Sequence, residues 1–275
     1  MKPAAFDYVR PADTGAAVAA LAAAGEARLL AGGQTLGPML NLRLARPSLL
    51  VDIARIEALR RIERRASTLV IGACVTHAAL EDRADPSPTG RLLAHVASGI
   101  AYRAIRNFGT IGGSLAHADP AADWITAMML LDARLRIAGA SGERSVPMGE
   151  FMKGAFTTDI GPAELLVGID VEELSPQACW GYYRVCRKVG EFPDAVGAVI
   201  LDPERSMARV VVGALDGAPV QLPALAESVA AQGAGVASLE AVSAAVAQAA
   251  PGLDPVELQL HAVAVRRAIL QAVGS

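Results

Sequence analysis

Leu30-Ala31-Gly32-Gly33-Gln34-Thr35-Leu36-Gly37 and, far downstream, Thr110-Ile111-Gly112-Gly113-Ser114-Leu115-Ala116-His117-Ala118-Asp119-Pro120 are the stretches whose reading decides the fold. Each sets a glycine pair beside hydroxyl or amide side chains. Neither has the Gly-x-Gly-x-x-Gly spacing of a dinucleotide fingerprint or the Gly-Lys-Ser/Thr ending of a phosphate loop. Glycine lets backbone approach a ligand closely and adopt positive φ. Successive N–H groups of such backbone form a concave anion site. A neighbouring hydroxyl or amide adds hydrogen bonds to phosphate oxygens without the point charge of lysine. Each stretch also feeds a segment able to start a helix, whose N-terminus favours an anion. One Gly-Gly between elements is an ordinary turn. Two of the same chemistry, in adjoining units, point to one phosphate-bearing ligand.

The surrounding pattern places these stretches. Asp13 caps a helix to about Ala24, which Gly25 stops. Arg28 to Ala31 reads as a short strand entering Gly32-Gly33, Pro38 to Leu44 as a helical turn ended by Pro47, and Leu49 to Ile53 as a second strand. The first 55 residues thus read β–α–β–loop–α–β. A second unit opens with a hairpin, Leu59 to Glu63 and Thr68 to Gly72, and a helix capped by Thr76. Asp85-Pro86-Ser87-Pro88-Thr89-Gly90 reads as an exposed turn. A helix from about Arg91 to Ala101 leads into the second stretch, and Pro120 and Asp123 start another, with Asp119 as its cap. Strands follow at Ala133 to Ala138, Arg144 to Pro147 and Glu164 to Glu172. Near Ser175-Pro176-Gln177 the pattern changes. Three β candidates (Trp180 to Val189, Ala195 to Asp202, Met207 to Leu215) precede three alanine-rich helices, Pro223 to Gln232, Leu239 to Ala249 and Pro255 to Val273.

Composition narrows the class. With 275 residues and 53 % hydrophobic content, the chain has a sizeable core. A net charge of -3 argues against nucleic acid as the partner. The three cysteines, Cys74, Cys179 and Cys186, contain no Cys-x-x-Cys and cannot fill the four positions of an iron–sulfur cluster. Together with the lack of a secretory signal or an apolar span, they read as a reduced, cytoplasmic chain. The four histidines, His77, His95, His117 and His261, give little support to a zinc site. No Ser-His-Asp order and no glycosidase-like carboxylate pair is apparent. His117 is read as a structural or loop histidine, with a redox role as the alternative. Arg184, Arg187 and Lys188 form either a solvated strand face or a cation near a bound ring.

These residues carry a family resemblance. Ala31-Gly32-Gly33-Gln34-Thr35-Leu36, with Leu42-Arg43 and Leu50-Val51-Asp52-Ile53, resembles the first flavin signature of the medium, FAD-binding subunits of molybdenum hydroxylases, the aerobic carbon monoxide dehydrogenase and xanthine dehydrogenase group. Arg106-Asn107-Phe108-Gly109 followed by Thr110 to Asp123 resembles the second. The resemblance spans nearly the whole chain. It implies an α+β fold of the vanillyl-alcohol-oxidase type. Two α+β FAD-binding subdomains (1–56 and 57–175) would precede a C-terminal domain of the carbon monoxide dehydrogenase flavoprotein type (176–275), a three-stranded sheet with a helical bundle. By position it assigns the FAD pyrophosphate to Leu30, Ala31, Gly32, Gly33, Gln34, Thr35, Leu36 and Gly37, and to Thr110, Ile111, Gly112, Gly113 and Ser114. His117, Asp119 and Asp123 join the cofactor set, Asp123 facing the ribityl chain. Leu166 lies against the flavin region, and Arg184 stands where relatives often carry lysine near the ring. Residues 187–194 depart from the family's commoner Arg-Arg-x-x-Asp-Phe-Ala run.

The implied role is electron relay. A large molybdopterin-cofactor subunit would hydroxylate a substrate, and a small [2Fe–2S] subunit would deliver single electrons. FAD would pass pairs to quinone, NAD⁺ or O₂, within a dimer of heterotrimers. An apolar surface for these partners is expected on the C-terminal domain or the flavin-edge loops. The competing readings are a standalone flavin oxidoreductase of the same fold and a flavin-free nucleotide-binding or assembly protein.

Overall fold

The computed structural model describes residues 2–274. The first unit contains β1 (Asp7–Val9), α1 (Thr14–Ala23), β2 (Ala27–Leu30), α2 (Leu36–Asn41) and β3 (Leu49–Asp52). Its strands make a parallel sheet in the order β1-β3-β2. The Asp13 carboxylate accepts from the Ala16 N–H at 2.8 Å, which sets the start of α1. Ala17, Val18 and Leu21 of that helix are buried. Asp52, at the end of the central strand β3, accepts from the Tyr8 hydroxyl, from Arg10 Nε at 3.2 Å and from the Ala54 N–H at 3.0 Å. Burial alone would raise its pKa, yet these donors hold it below the usual carboxylate value.

The second unit runs through β4 (Ile62–Arg65), β5 (Thr68–Gly72), α3 (His77–Glu81), α4 (Pro88–Gly99), α5 (Arg103–Arg106), α6 (Ile111–His117), α7 (Asp123–Leu130), β6 (Arg134–Gly139), β7 (Gly142–Pro147), α8 (Met148–Phe151), β8 (Met152–Gly154), β9 (Thr157–Thr158) and β10 (Leu165–Glu172). Its main sheet is antiparallel, in the order β4-β5-β10-β6-β7. The central strand β10 serves two cores. Leu165 and Val167 pack with α1 and β3 of the first unit, whereas Leu166, Ile169 and Val171 join the core that contains α6 and α7. A register shift between Leu166 and Gly168 changes the alternation, so that the second-core residues are spaced by three there.

Two local expectations are corrected. Residues 85–90 are not an exposed turn: Pro88, Thr89 and Gly90 are the buried first turn of α4, with Ser87 as cap. Thr89 Oγ1 is spent on the Leu174 N–H at 2.8 Å, which ties this turn to the end of β10. Asp119 does not cap a helix beginning at Pro120. Its carboxylate accepts from the Ala121 N–H at 3.0 Å within a turn, and α7 begins at Asp123 after Ala122. An aspartate two residues before an N–H makes this turn as readily as a helix cap.

The remaining chain forms β11 (Cys179–Val185), β12 (Ala195–Asp202), β13 (Met207–Gly213), β14 (Val220–Gln221), α9 (Pro223–Gln232), α10 (Leu239–Ala249) and α11 (Pro255–Val273). The antiparallel order is β11-β12-β13-β14. The two-residue β14 adds a fourth strand to the three expected. One face of this sheet, with Tyr182, Val196, Ala198, Ile200 and Val211, shares the core of the second unit, and the other, with Val199, Val210 and Val212, packs on the helices. α11 lies directly on the sheet at Gly181 and Gly197. A Cβ at Gly181 would stand 1.9 Å from the Ala268 carbonyl oxygen, and one at Gly197 2.4 Å from the Ala264 backbone. Among the described residues no helix is long and apolar enough to cross a membrane.

Candidate functional site

The chain leaves β2 at Leu30 and turns through 31–35 before α2. Gly33 takes φ +69°, the left-handed region that glycine enters without strain. Gln34 folds back so that its Nε2 donates to the Gly32 carbonyl at 3.0 Å, and the Gly37 N–H donates to the Gly33 carbonyl at 2.8 Å. The N–H groups of Gly33, Gln34, Thr35 and Leu36 donate to no group among the described residues. Thr35 is exposed and its side chain makes no cap. Four consecutive free donors, a free hydroxyl and a left-handed glycine are a cradle for an anion.

The second stretch is built differently. Thr110 caps α6, its hydroxyl accepting from the Gly113 N–H at 3.1 Å. The Ile111 N–H donates to the Val75 carbonyl at 3.0 Å and the Gly112 N–H to the Ala73 carbonyl at 2.9 Å. This helix start is therefore stitched onto the chain leaving β5. Gly112 permits that contact, because a Cβ there would lie 2.5 Å from Ala73 O. Gly113 faces outward, and Ser114 Oγ makes no hydrogen bond among the described residues.

The two stretches meet. A Cβ at Gly32 would sit 2.0 Å from the Phe108 carbonyl oxygen and 2.8 Å from Gly109 Cα. A Cβ at Gly113 would be 3.9 Å from Ala31 Cβ. The seam thus has a donor-rich lip, 33–36, and a close-packed lip, 108–114.

The other candidates sit on α6, α7, β10 and β11. His117 ends α6 and packs on Phe156, ring centroids 5.2 Å apart. Leu166 is buried in the core containing α6 and α7. Asp123 and Arg184 come together: Arg184 Nε lies 2.9 Å from Asp123 Oδ1, an ion pair not aligned as a hydrogen bond. The Tyr182 hydroxyl donates to the same oxygen at 3.1 Å. Arg184 further donates to the carbonyls of Gly99 and Glu191, so one guanidinium ties α4, α7 and the 186–194 loop. Asp123 is 4 % exposed, and burial pushes its pKa up to about 6, opposed by Arg184 and Tyr182. In this arrangement its carboxylate is occupied by protein groups.

Next to this tie the surface is apolar. Gly190 (φ +90°) packs on Ala101 and the Tyr102 ring. Tyr102, Phe108, Val189 and Phe192 are all exposed large hydrophobics.

His77, whose sequence context signals no role, packs against Gly109 at the second lip. Its backbone N–H donates to the Gly109 carbonyl at 2.9 Å, and its ring Nδ1 accepts from Trp124 Nε1 at 3.0 Å. A lone histidine after a helix-capping threonine carries no local signal of such a partner, which lies 47 residues away.

Residues 4–171 match the family described as the FAD binding domain in molybdopterin dehydrogenase. The chain is 37 % identical over 260 residues to the 6-hydroxypseudooxynicotine dehydrogenase complex subunit alpha of Paenarthrobacter nicotinovorans, covering 93 % of this chain and 87 % of that one. It is 38 % identical over 202 residues to the carbon monoxide dehydrogenase medium chain of Hydrogenophaga pseudoflava, covering 73 % and 70 %. A chain of the reconstituted CO dehydrogenase from Oligotropha carboxidovorans superimposes with a TM-score of 0.91 at 30 % identity, over 100 % of this chain and 99 % of that one.

Proposed function

The chain belongs to the FAD-binding subunits of the molybdenum hydroxylases, and from that premise we propose that it relays electrons from the [2Fe–2S] clusters of a small partner to an external acceptor, a quinone, NAD⁺ or O₂. As a flavoprotein oxidoreductase component it takes FAD as its cofactor. A large molybdopterin-cofactor subunit would carry the hydroxylation and hence the choice of substrate. The complex would be a dimer of heterotrimers working in the cytoplasm. The exposed Tyr102, Phe108, Val189 and Phe192 supply apolar surface for those partners.

The observation that carries this reading is the row of four unspent N–H groups from Gly33 to Leu36, facing a stretch whose glycines admit close approach. That chemistry fits a diphosphate. Leu30 to Gly37 and Thr110 to Ser114 would hold it, with Thr35 and Ser114 adding hydroxyl donors. Bound FAD supplies a centre that accepts electrons singly and releases them in pairs. The chain's part is to bind and orient it. His117 and Asp119 would border the site. Leu166 would back it from the core, and Asp123 and Arg184 would fix the wall on which the ring rests. No residue need act as a base on the organic substrate. The chain divides for this purpose into FAD-binding subdomains 1–56 and 57–175 and a C-terminal domain 176–275.

The full chain should purify yellow, or take up FAD on reconstitution. Its flavin should be reduced by substrate only when both partner subunits are present. A colourless chain that rejects FAD would remove the reading. Flavin reduction by a small organic substrate with no partner would replace it with that of a standalone oxidoreductase.

A further inference from the structure

The chain leaves α4 through Gly99, Ile100 and Ala101, the last with φ +43°, a left-handed conformation that alanine rarely adopts. The carbonyls that end a helix have no partner within it and carry its negative pole. Here three consecutive ones are filled by two arginines from distant parts of the sequence. Arg184 donates through Nη1 to the Gly99 carbonyl. Arg106 donates through Nη1 to the Ile100 and Ala101 carbonyls, each at 3.0 Å. Gly99 admits the first contact, because a Cβ there would lie 3.0 Å from Arg184 Nη1.

Each arginine has a second hold. Arg106 forks onto Glu81 of α3, its Nε and Nη2 donating to the two carboxylate oxygens at 2.8 and 2.9 Å. Arg184 sets Nε against Asp123 of α7 and donates through Nη2 to the Glu191 carbonyl at 2.9 Å. Both side chains are largely buried. Gly190 lays the 186–194 loop on the same turn, where its Cβ would stand 3.2 Å from the Ala101 carbonyl oxygen. Two residues past Arg106, the Phe108 carbonyl meets Gly32. The turn 99–101 is thus the junction between the lip 108–114 and the 186–194 loop.

We propose that Arg106 and Arg184 are paired positioning residues: by clamping the 99–101 turn they fix the separation between the lip that borders the diphosphate cradle and the wall on which the flavin ring rests. The inference rests on the FAD reading given under Proposed function, and it sharpens the part of Arg184. All three of its guanidinium nitrogens face protein groups, so it serves as an anchor and not as a charge offered to the ring.

Lysine at either position keeps the charge but has one nitrogen, which cannot hold both ends of the clamp. The full chain, stripped of flavin, is titrated with FAD, which spans cradle and wall, and with ADP, which carries the diphosphate but no flavin. Arg184→Lys and Arg106→Lys should each weaken FAD about 10-fold while leaving ADP within about 3-fold of wild type. The double variant should lose less than the product of the two, because both act on one turn. Arg103→Gln removes ion pairs to Glu81 and Asp82 but touches no carbonyl of 99–101, and it should leave both affinities within about 2-fold. Trypsin reads the loop directly, since Arg187 and Lys188 are exposed: Arg184→Lys should be cut there about 10-fold faster than wild type. Equal losses for FAD and ADP that follow the melting temperature are what a merely structural role predicts, and they would overturn the proposal. So would wild-type FAD affinity in both lysine variants, or unchanged cleavage in Arg184→Lys. If Arg184→Lys does not fold, Arg106→Lys decides by the split between FAD and ADP. A wild-type chain that binds no FAD removes the reading beneath the proposal, whereas the preceding outcomes remove the proposal alone.

Discussion

The two glycine stretches look alike in sequence and differ in what their backbones have left to give. In 32–36 the chain turns with one glycine in the left-handed region, and four successive N–H groups remain unspent. In 110–113 the N–H groups of Ile111, Gly112 and Gly113 are consumed by Val75, Ala73 and Thr110. The first glycine pair provides conformation and donors. The second provides proximity: it lets a helix start press against the strand exit behind it and the first loop beside it. A Gly-Gly motif thus encodes two separable physical services, and substitutions can tell them apart.

The largest effects should come where a new Cβ meets backbone. Gly32→Val would drive side-chain atoms into the Phe108 carbonyl, and Gly112→Val into Ala73, where even a Cβ stands at 2.0 and 2.5 Å. Backbone cannot yield as a side chain does, so each should cost about 3 kcal/mol or more of apo stability. The melting temperature of the flavin-free chain checks this. Apo stability unchanged in Gly112→Val would break the claim that the second pair is a packing device.

A somewhat smaller effect concerns the buried carboxylate that opens α7. Asp123 has a folded-state pKa raised from 3.8 to about 6, chiefly by burial. The folded chain therefore holds this proton more tightly than the unfolded one. Its contribution to stability is full below about pH 4 and is lost as pH rises through about 6, on the order of 3 kcal/mol. Paired carboxylates such as Glu81 and Glu164 have lowered pKa values and slope the other way, so the test is a difference. Wild type minus Asp123→Asn, followed by denaturant melts from pH 4 to 7, should decline with rising pH. A flat difference would mean that Arg184 and Tyr182 already neutralise the cost of burying this charge.

Much of this architecture is legible in the sequence because it rests on local signals. The β–α–β order of the first unit follows from apolar runs punctuated by Gly25 and Pro47. The last three helices follow from Pro and Ser/Asp starts, and the Asp254 capping box is an example. What the sequence hides depends on distant partners. Pro88-Thr89-Gly90 has turn composition, but Thr89 is buried by the end of β10. The Leu166–Gly168 irregularity is invisible without the neighbouring strand. Asp123 and Arg184 are each visible as candidates in the sequence, yet their pairing across 61 positions is not, nor is that of His77 with Trp124. By composition the second stretch reads as a donor loop like the first. Only the strand exit at 73–75, which takes up its N–H groups, makes it a wall.

The finest test uses one added methyl at each outward glycine. Gly33 has φ +69°, and its Cβ would meet only the Leu30 side chain, at 3.2 Å. Gly33→Ala should therefore cost about 1 kcal/mol of apo stability, from left-handed strain rather than collision. Gly113 lies in helical backbone, where alanine is the better residue by about 1 kcal/mol. Its Cβ would stand 2.8 Å from Thr110 Oγ1, which must shift from its cap, offsetting that gain. Gly113→Ala should hence leave apo stability within about 0.5 kcal/mol of wild type. If the second stretch serves by proximity, this nearly silent change should still weaken FAD binding measurably, because the methyl points outward into the seam near Ala31. A Gly113→Ala chain that binds FAD as wild type would place the diphosphate against the first stretch alone. The second pair would then be a structural brace with no share in the cradle.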